Sequence, residues 1–232
     1  MIIGSEVKMI SVAIDGPVGA GKSTIARVCA QRLGFVYVDT GALYRACGLF
    51  CKRNGVEISL ENHVEVNQLL VGSLRLEIRI IDGIQHVFAN GEDVSEEIRL
   101  PEISMAASAV SAIPEVRAFL LWVQREMAEK HNVIMDGRDI GTVILPNAAV
   151  KIFLTAKAEK RAERRFSELS AKGVSVSFDD VLNDLNKRDF QDSSRAAAPL
   201  KQAEDAVLLD TTELDFDGSV EAVLNIINAK KG

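Results

Sequence analysis

The 232-residue chain predicts an α/β fold, a parallel sheet covered by helices on both faces. Three observations predict it. Short apolar runs recur along the chain, and helical segments separate most of them. The first run ends in a glycine-rich turn that opens straight into a helix. One stretch, 74–80, alternates strictly instead, and marks a small antiparallel insertion.

The first run, 10–15, reads as a buried strand, and residues 1–8 ahead of it as a frayed leader. Gly16, Gly21, Lys22 and Ser23 then complete G-x-x-x-x-G-K-[ST], a pattern that chance supplies in about 1 in 100 chains of this length. Glycines let the main chain wrap an anion, and successive N–H groups and the helix N-terminus point at phosphate oxygens. Lys22 is expected to span the β- and γ-phosphates, and the Ser23 hydroxyl to hold Mg²⁺. The chain is therefore expected to bind a nucleoside triphosphate. The helix 23–33 turns Ile25, Val28, Cys29 and Leu33 to one side and stops at Gly34.

The second run, 35–39, leads into a helix over 40–53 that stops at Asn54-Gly55. Thr40 stands at its start and Arg45 one and a half turns on. They read either as an N-cap and a surface cation, or as phosphate contacts at the sheet's carboxyl edge. In the insertion, Leu74, Leu76, Ile78 and Ile80 alternate with Arg75, Glu77 and Arg79; Asp82-Gly83 and Asn90-Gly91 mark turns. This meander over 72–95 is a lid, a substrate-binding piece or a tolerated loop extension. A helix over 115–130 precedes the third main run, 132–136. Asp136 there is placed like the carboxylate that supports Mg²⁺, and Arg138 and Asp139 follow on a glycine-flanked loop. After the run 149–156, the segment 157–172 mixes Arg161, Arg164 and Arg165 with Glu159, Glu163 and Glu168. It is either a solvated helix face or a lid whose arginines offset transition-state charge. A fifth run, 205–210, and a helix over 217–230 close the chain, with Val220, Val223, Leu224 and Ile227 inward. Four of the five runs end in Asp, at the sheet edge where α/β proteins bind ligands.

Residues 186–189 match N-K-x-D, the guanine-reading signature of GTPases, but end an amphipathic segment instead of following a buried strand. The only D-x-x-G that could serve as a switch, 215–218, lies after it in the chain. The GTPase reading is rejected. A net charge of −6 disfavours a broad nucleic-acid or membrane surface. The N-terminal residues 1–14 are too short and polar for a membrane span. Cys29, Cys47 and Cys51, an odd count without a signal peptide, suggest a reducing, cytoplasmic setting; Cys47 and Cys51 are expected to pack, not to bind metal.

The motifs GPVGAGKST, DTGALYR, MDGRDIGTVILP, KIFL, KRDFQDSSRAAAPL and DAVLLDTT stand in this order, and together the chain from Ile10 onward resembles the bacterial cytidylate (CMP) kinases, members of the nucleoside monophosphate kinase group. The resemblance implies a three-layer P-loop kinase fold with a five-stranded parallel core, an NMP-binding insert and a short helical lid. It divides the chain into core 9–71, insert 72–95, core 96–155, lid 156–174 and core 175–232. It implies ATP as donor, CMP or dCMP as acceptor, Mg²⁺ as cofactor, and a monomer without nucleic-acid or membrane partners. ATP contacts fall on Gly16, Pro17, Val18, Gly19, Ala20, Gly21, Lys22, Ser23 and Thr24. Cytosine contacts fall on Ser108, Arg117 and Asp139, with Arg195 close by. Ribose contacts fall on Arg188 and Asp192, acceptor-phosphate contacts on Arg45 and Arg138, and Thr40 lies near the nucleotide. Lys22, Arg138, Arg161 and Arg165 are expected to act in catalysis, with Ser23 and, through water, Asp136 at the metal. Other P-loop small-molecule kinases, such as UMP or AMP kinases, and a non-catalytic nucleotide-binding regulator are the alternative functions.

Overall fold

The computed structural model describes residues 9–230; the leader expected at 1–8 lies outside them. Five strands, β1 (Ser11–Asp15), β2 (Val36–Asp39), β6 (Val133–Gly137), β7 (Val150–Thr155) and β8 (Val207–Asp210), form one parallel sheet in the order β2-β6-β1-β7-β8. Each matches one of the apolar runs. The register sets Asp39 beside Asp136 and Asp15 beside Gly137, so the terminal acids gather at one sheet edge.

Both faces are covered. On one, Val12, Ile14, Ile152 and Leu154 meet α1 (Lys22–Leu33) and α8 (Phe216–Lys230), burying Ile25, Cys29, Val220, Val223 and Ile227. On the other, Ala13, Val38, Val133 and Met135 meet Met127 of α5 (Pro114–Lys130). The caps follow sequence chemistry. Gly34 adopts φ 66°, and its N–H reaches the Ala30 and Gln31 carbonyls to end α1. Asp39, not Thr40, caps α2 (Thr40–Arg53), its Oδ1 accepting from Ala42 N at 3.2 Å.

The second sheet is antiparallel, β3 (Leu76–Ile81), β4 (Ile84–Ala89) and β5 (Glu92–Asp93). Leu74, Leu76, Val87 and Ala89 enter a core shared with α2, α3 (His63–Ser73), α4 (Pro101–Ser111) and α5. Two details differ from expectation. Residues 72–73 finish α3, and α3 itself is not legible in the sequence, because Val64 and Val71 are exposed while only Val66 and Leu70 are buried. Cys47 and Cys51 are buried in this core as expected, and among the described residues no cluster of His, Cys, Asp and Glu could hold a metal. The segment 157–172 forms α6 (Ala158–Ala171), which packs on α7 (Phe178–Ser194). The N-K-x-D match lies inside α7. Among the described residues no single helix is long and apolar enough to cross a membrane.

Candidate active site

The chain after β1 turns sharply at Gly16, whose φ of 150° suits only glycine; a Cβ there would lie 1.9 Å from the Leu154 carbonyl oxygen. Gly19 and Gly21 are also left-handed, and Gly21 caps α1. This loop borders a cleft of about 1160 Å³ through Val18, Gly19, Gly21, Lys22, Ser23 and Thr24. Gly16, Pro17 and Ala20 do not line it; Ala20 is fully buried and the Pro17 carbonyl accepts from Lys22 Nζ at 2.7 Å. Burial, then the Arg138 charge, pushes the Lys22 ammonium down to about 7.

Asp136 is buried, with both carboxylate oxygens engaged: Ser23 Oγ donates at 2.8 Å and Tyr37 Oη at 2.8 Å. Burial, then the neighbouring Asp39, raises its pKa. Thr40 Oγ1 donates to the Asp136 carbonyl at 2.8 Å. Asp15 accepts from the N–H groups of Ile140 and Gly141, both at 2.7 Å, and so fixes the loop that carries Arg138 and Asp139. Burial lifts Asp15 to about 6 against those two bonds.

A second pocket, of about 210 Å³, opens beside the first. All nine residues expected at the acceptor line it: Thr40, Arg45, Ser108, Arg117, Arg138, Asp139, Arg188, Asp192 and Arg195. Arg138 and Asp139 do not pair with each other as a surface turn would. Arg138 Nε donates to Asp192 Oδ2 at 2.7 Å. Asp139 is buried between Arg117, which pairs with Oδ2, and Arg195, whose Nη2 lies 3.7 Å from Oδ1. Among the described residues, three buried polar atoms at this pocket have no hydrogen-bond partner: Tyr44 Oη, Arg45 Nε and Arg195 Nη2. Buried donors are seldom left unpaired, which marks a site shaped for polar ligand groups. The cleft and the pocket share Ser23, Arg45, Ser104, Arg138 and Arg188, so the two meet at basic side chains.

Thr40 lines the acceptor pocket, and its hydroxyl donates its proton to the Asp136 carbonyl. One expectation needs correction. Arg161 lines neither pocket; it is buried, donating to the carbonyls of Ala156 (2.9 Å) and Val18 (2.8 Å) and pairing with Asp189 at 2.7 Å. It is a strut under the phosphate loop. Arg165, paired with Glu168 at 2.7 Å on an exposed face, does border the cleft, as does Arg164, which donates to the Thr211 carbonyl at 2.7 Å. The meander at 72–95 lines neither pocket, because its apolar face is turned into the α2–α5 core. Sequence reading also missed Tyr37, Tyr44, Ser104 and Asp189. Asp189 Oδ1 accepts from Val18 N at 3.2 Å, a structural role unrelated to guanine reading.

A parallel sheet with a phosphate loop at its carboxyl edge, meeting an arginine-rich second pocket, defines a P-loop kinase, in which a donor cleft faces a separate acceptor site. The chain belongs to the cytidylate kinase family, whose family model matches residues 12–229. A cytidylate kinase from Caldicellulosiruptor bescii is 50% identical over 220 residues, covering 95% of this chain and 96% of that one. Another, from Lactobacillus johnsonii, is 47% identical over 223 residues, covering 96% of each. Among solved structures, a shikimate kinase from Bacteroides thetaiotaomicron aligns with 95% of this chain and 99% of its own, at 14% identity and a TM-score of 0.46.

Proposed function

We propose that the protein transfers the γ-phosphoryl group of ATP to CMP or dCMP, giving ADP and CDP or dCDP. The observation that carries this is the junction of the two pockets at Ser23, Arg45, Ser104, Arg138 and Arg188, with Asp139, Arg117, Arg195 and Ser108 lining the acceptor pocket. Cytosine presents acceptors at O2 and N3 and a donor at its amino group. Arg117, Arg195 and Ser108 supply donors, and the Asp139 carboxylate supplies an acceptor. Arg188 and Asp192 serve the ribose; Arg45 and Arg138 serve the acceptor phosphate.

The acceptor phosphate is already ionised, so no strong general base is required, and catalysis is mainly alignment and charge neutralisation. Arg138 and Arg45 border both pockets, and Lys22 borders the donor cleft. Arg165, on the cleft wall, is the lid arginine able to approach the triphosphate, while Arg161 holds the loop from behind. Ser23 Oγ and Asp136 form a hard-oxygen pair within 2.8 Å, a donor set that fits Mg²⁺ carried in by a nucleotide and completed by water. Ser23 and, through water, Asp136 would hold the ion, which would supply charge neutralisation at the phosphates. The lid assigned at 156–174 borders the donor cleft through Lys160, Arg165 and Leu169 and would close over the triphosphate, whereas the insert assigned at 72–95 lines neither pocket. A monomeric, cytoplasmic enzyme accords with three free, buried cysteines and a net charge of −6.

A panel of acceptors with ATP (CMP, dCMP, UMP, AMP and shikimate), read as ADP release, tests the reading. CMP and dCMP should lead, and a preference for UMP or AMP would overturn it. Asp139→Ala should raise the KM for CMP by about 100-fold, the scale for leaving donors built for a substrate unpaired. The KM for ATP should stay within about threefold; equal loss on both substrates would remove Asp139 from the base-reading role.

A further inference from the structure

Among the described residues β2 is the edge strand of the parallel sheet, and the peptide groups on its outer side face no further strand of that sheet. Gln85, the second residue of β4, takes that place at one residue. Asp39 N donates to Gln85 Oε1 at 2.7 Å, and Gln85 Nε2 donates to the Asp39 carbonyl at 3.2 Å. One carboxamide thus occupies both main-chain groups of Asp39, as a neighbouring strand would.

Asp39 is where β2 becomes α2. Its Oδ1 caps the helix at Ala42 N, and its Oδ2 accepts from Arg45 Nη2 at 2.6 Å. Gly41 leaves room for that pair; a Cβ there would stand 3.1 Å from Asp39 Oδ1 and 3.2 Å from Arg45 Nη1. Arg45 in turn borders both pockets and keeps a buried, unpartnered Nε. Gln85 lines neither of them; it borders a separate cavity of about 690 Å³ between α1, β2 and the hairpin.

We propose that Gln85 is a positioning residue for the acceptor phosphate: by clamping the main chain of Asp39 it fixes the carboxylate that orients Arg45. The antiparallel insert, which touches no substrate pocket, reaches the reaction through this one side chain. Without the clamp the Asp39 peptide can rotate, the ion pair loosens, and the guanidinium must be ordered by the substrate itself. The inference rests on CMP being the acceptor.

The test is steady-state kinetics on Gln85→Met, which keeps length and volume and removes both hydrogen bonds. The KM for CMP should rise about tenfold, with kcat within about threefold and the KM for ATP unchanged. In an Arg45→Lys background the same change should add less than about twofold, because the two act in series. An unshifted KM for CMP, an equal rise in both KM values, or full additivity with Arg45→Lys overturns the proposal. Should Gln85→Met fail to fold, Gln85→Glu answers the same question, since it keeps the acceptor for Asp39 N but sets an oxygen against the Asp39 carbonyl. No CMP turnover in the wild type would instead overturn the function reading, and this inference with it.

Discussion

At the residue scale, Lys22 shows how burial makes a phosphate-loop cation responsive. Its ammonium is pushed down to about 7 by desolvation first and by Arg138 second, with Asp136 and Asp15 opposing. An arriving triphosphate supplies negative charge and raises that pKa. ATP binding should therefore take up protons at pH values above about 7, approaching one per site near pH 8. Calorimetry in buffers of different ionisation enthalpy reads this directly, and Lys22→Met should abolish the uptake; equal heats in all buffers would refute it. Lys22 and Ser23 were legible because the phosphate loop is a local pattern. Tyr37 was not, since one tyrosine in a strand carries no signal until β2 and β6 are paired and its hydroxyl meets Asp136.

At the element scale, two helical glycines make opposite predictions. A Cβ on Gly48 of α2 would stand 2.9 Å from Ala106 Cβ and 3.1 Å from its carbonyl carbon, so α2 and α4 approach closely only because the side chain is missing. Gly48→Ala should cost about 1–3 kcal/mol through overpacking, more than the gain of up to about 1 kcal/mol in helix propensity. Gly72 in α3 has nothing within 4 Å, so Gly72→Ala should stabilise by up to about 1 kcal/mol. Thermal unfolding of both variants checks the pair, and a stabilised Gly48→Ala would refute the close-packing argument. Helix ends were readable where caps announce them, at Gly34 and Asn54. The weakly amphipathic α3 was not.

At the scale of the whole molecule, α6 and α7 stand apart from the sheet. They bury Ala162, Val181 and Leu185 against Val18, Phe166, Leu169, Phe178 and Leu182, a cluster separate from those on the sheet. Phe166 and Phe178 meet edge to face at 6.3 Å. Their tie to the phosphate loop is apolar at the Val18 side chain and polar at its main chain, where Arg161 and Asp189 together take the carbonyl and the N–H of Val18. A unit with so small a core should open before the sheet does. Amide hydrogen exchange in α6 and α7 should be faster than in β1 and β6, and ATP should slow it. Protection equal to that of β1 without nucleotide would disprove a separately opening lid.

The sequence by itself determined what depends on neighbours along the chain: five strands, the phosphate loop, most of the helices, and a hairpin inserted among them. Periodicity, caps and glycine spacing are local, so they are legible along the chain. Thr40, Arg45, Arg138 and Asp139 stand out by their places after strands, Ser108 and Arg117 only through the family resemblance, and all nine residues expected at the acceptor line one pocket. Only the tertiary structure decided which charges are free and which are spent. Arg161 and Arg165 look alike on one helix, yet one is buried under Val18 and the other faces the cleft. Gln85 and Asp39, 46 positions apart, meet only because the hairpin docks on the sheet edge. The reason is physical: a charged or amide side chain takes its role from whichever main-chain and side-chain partners the packed fold brings within hydrogen-bond reach, and no local pattern records them.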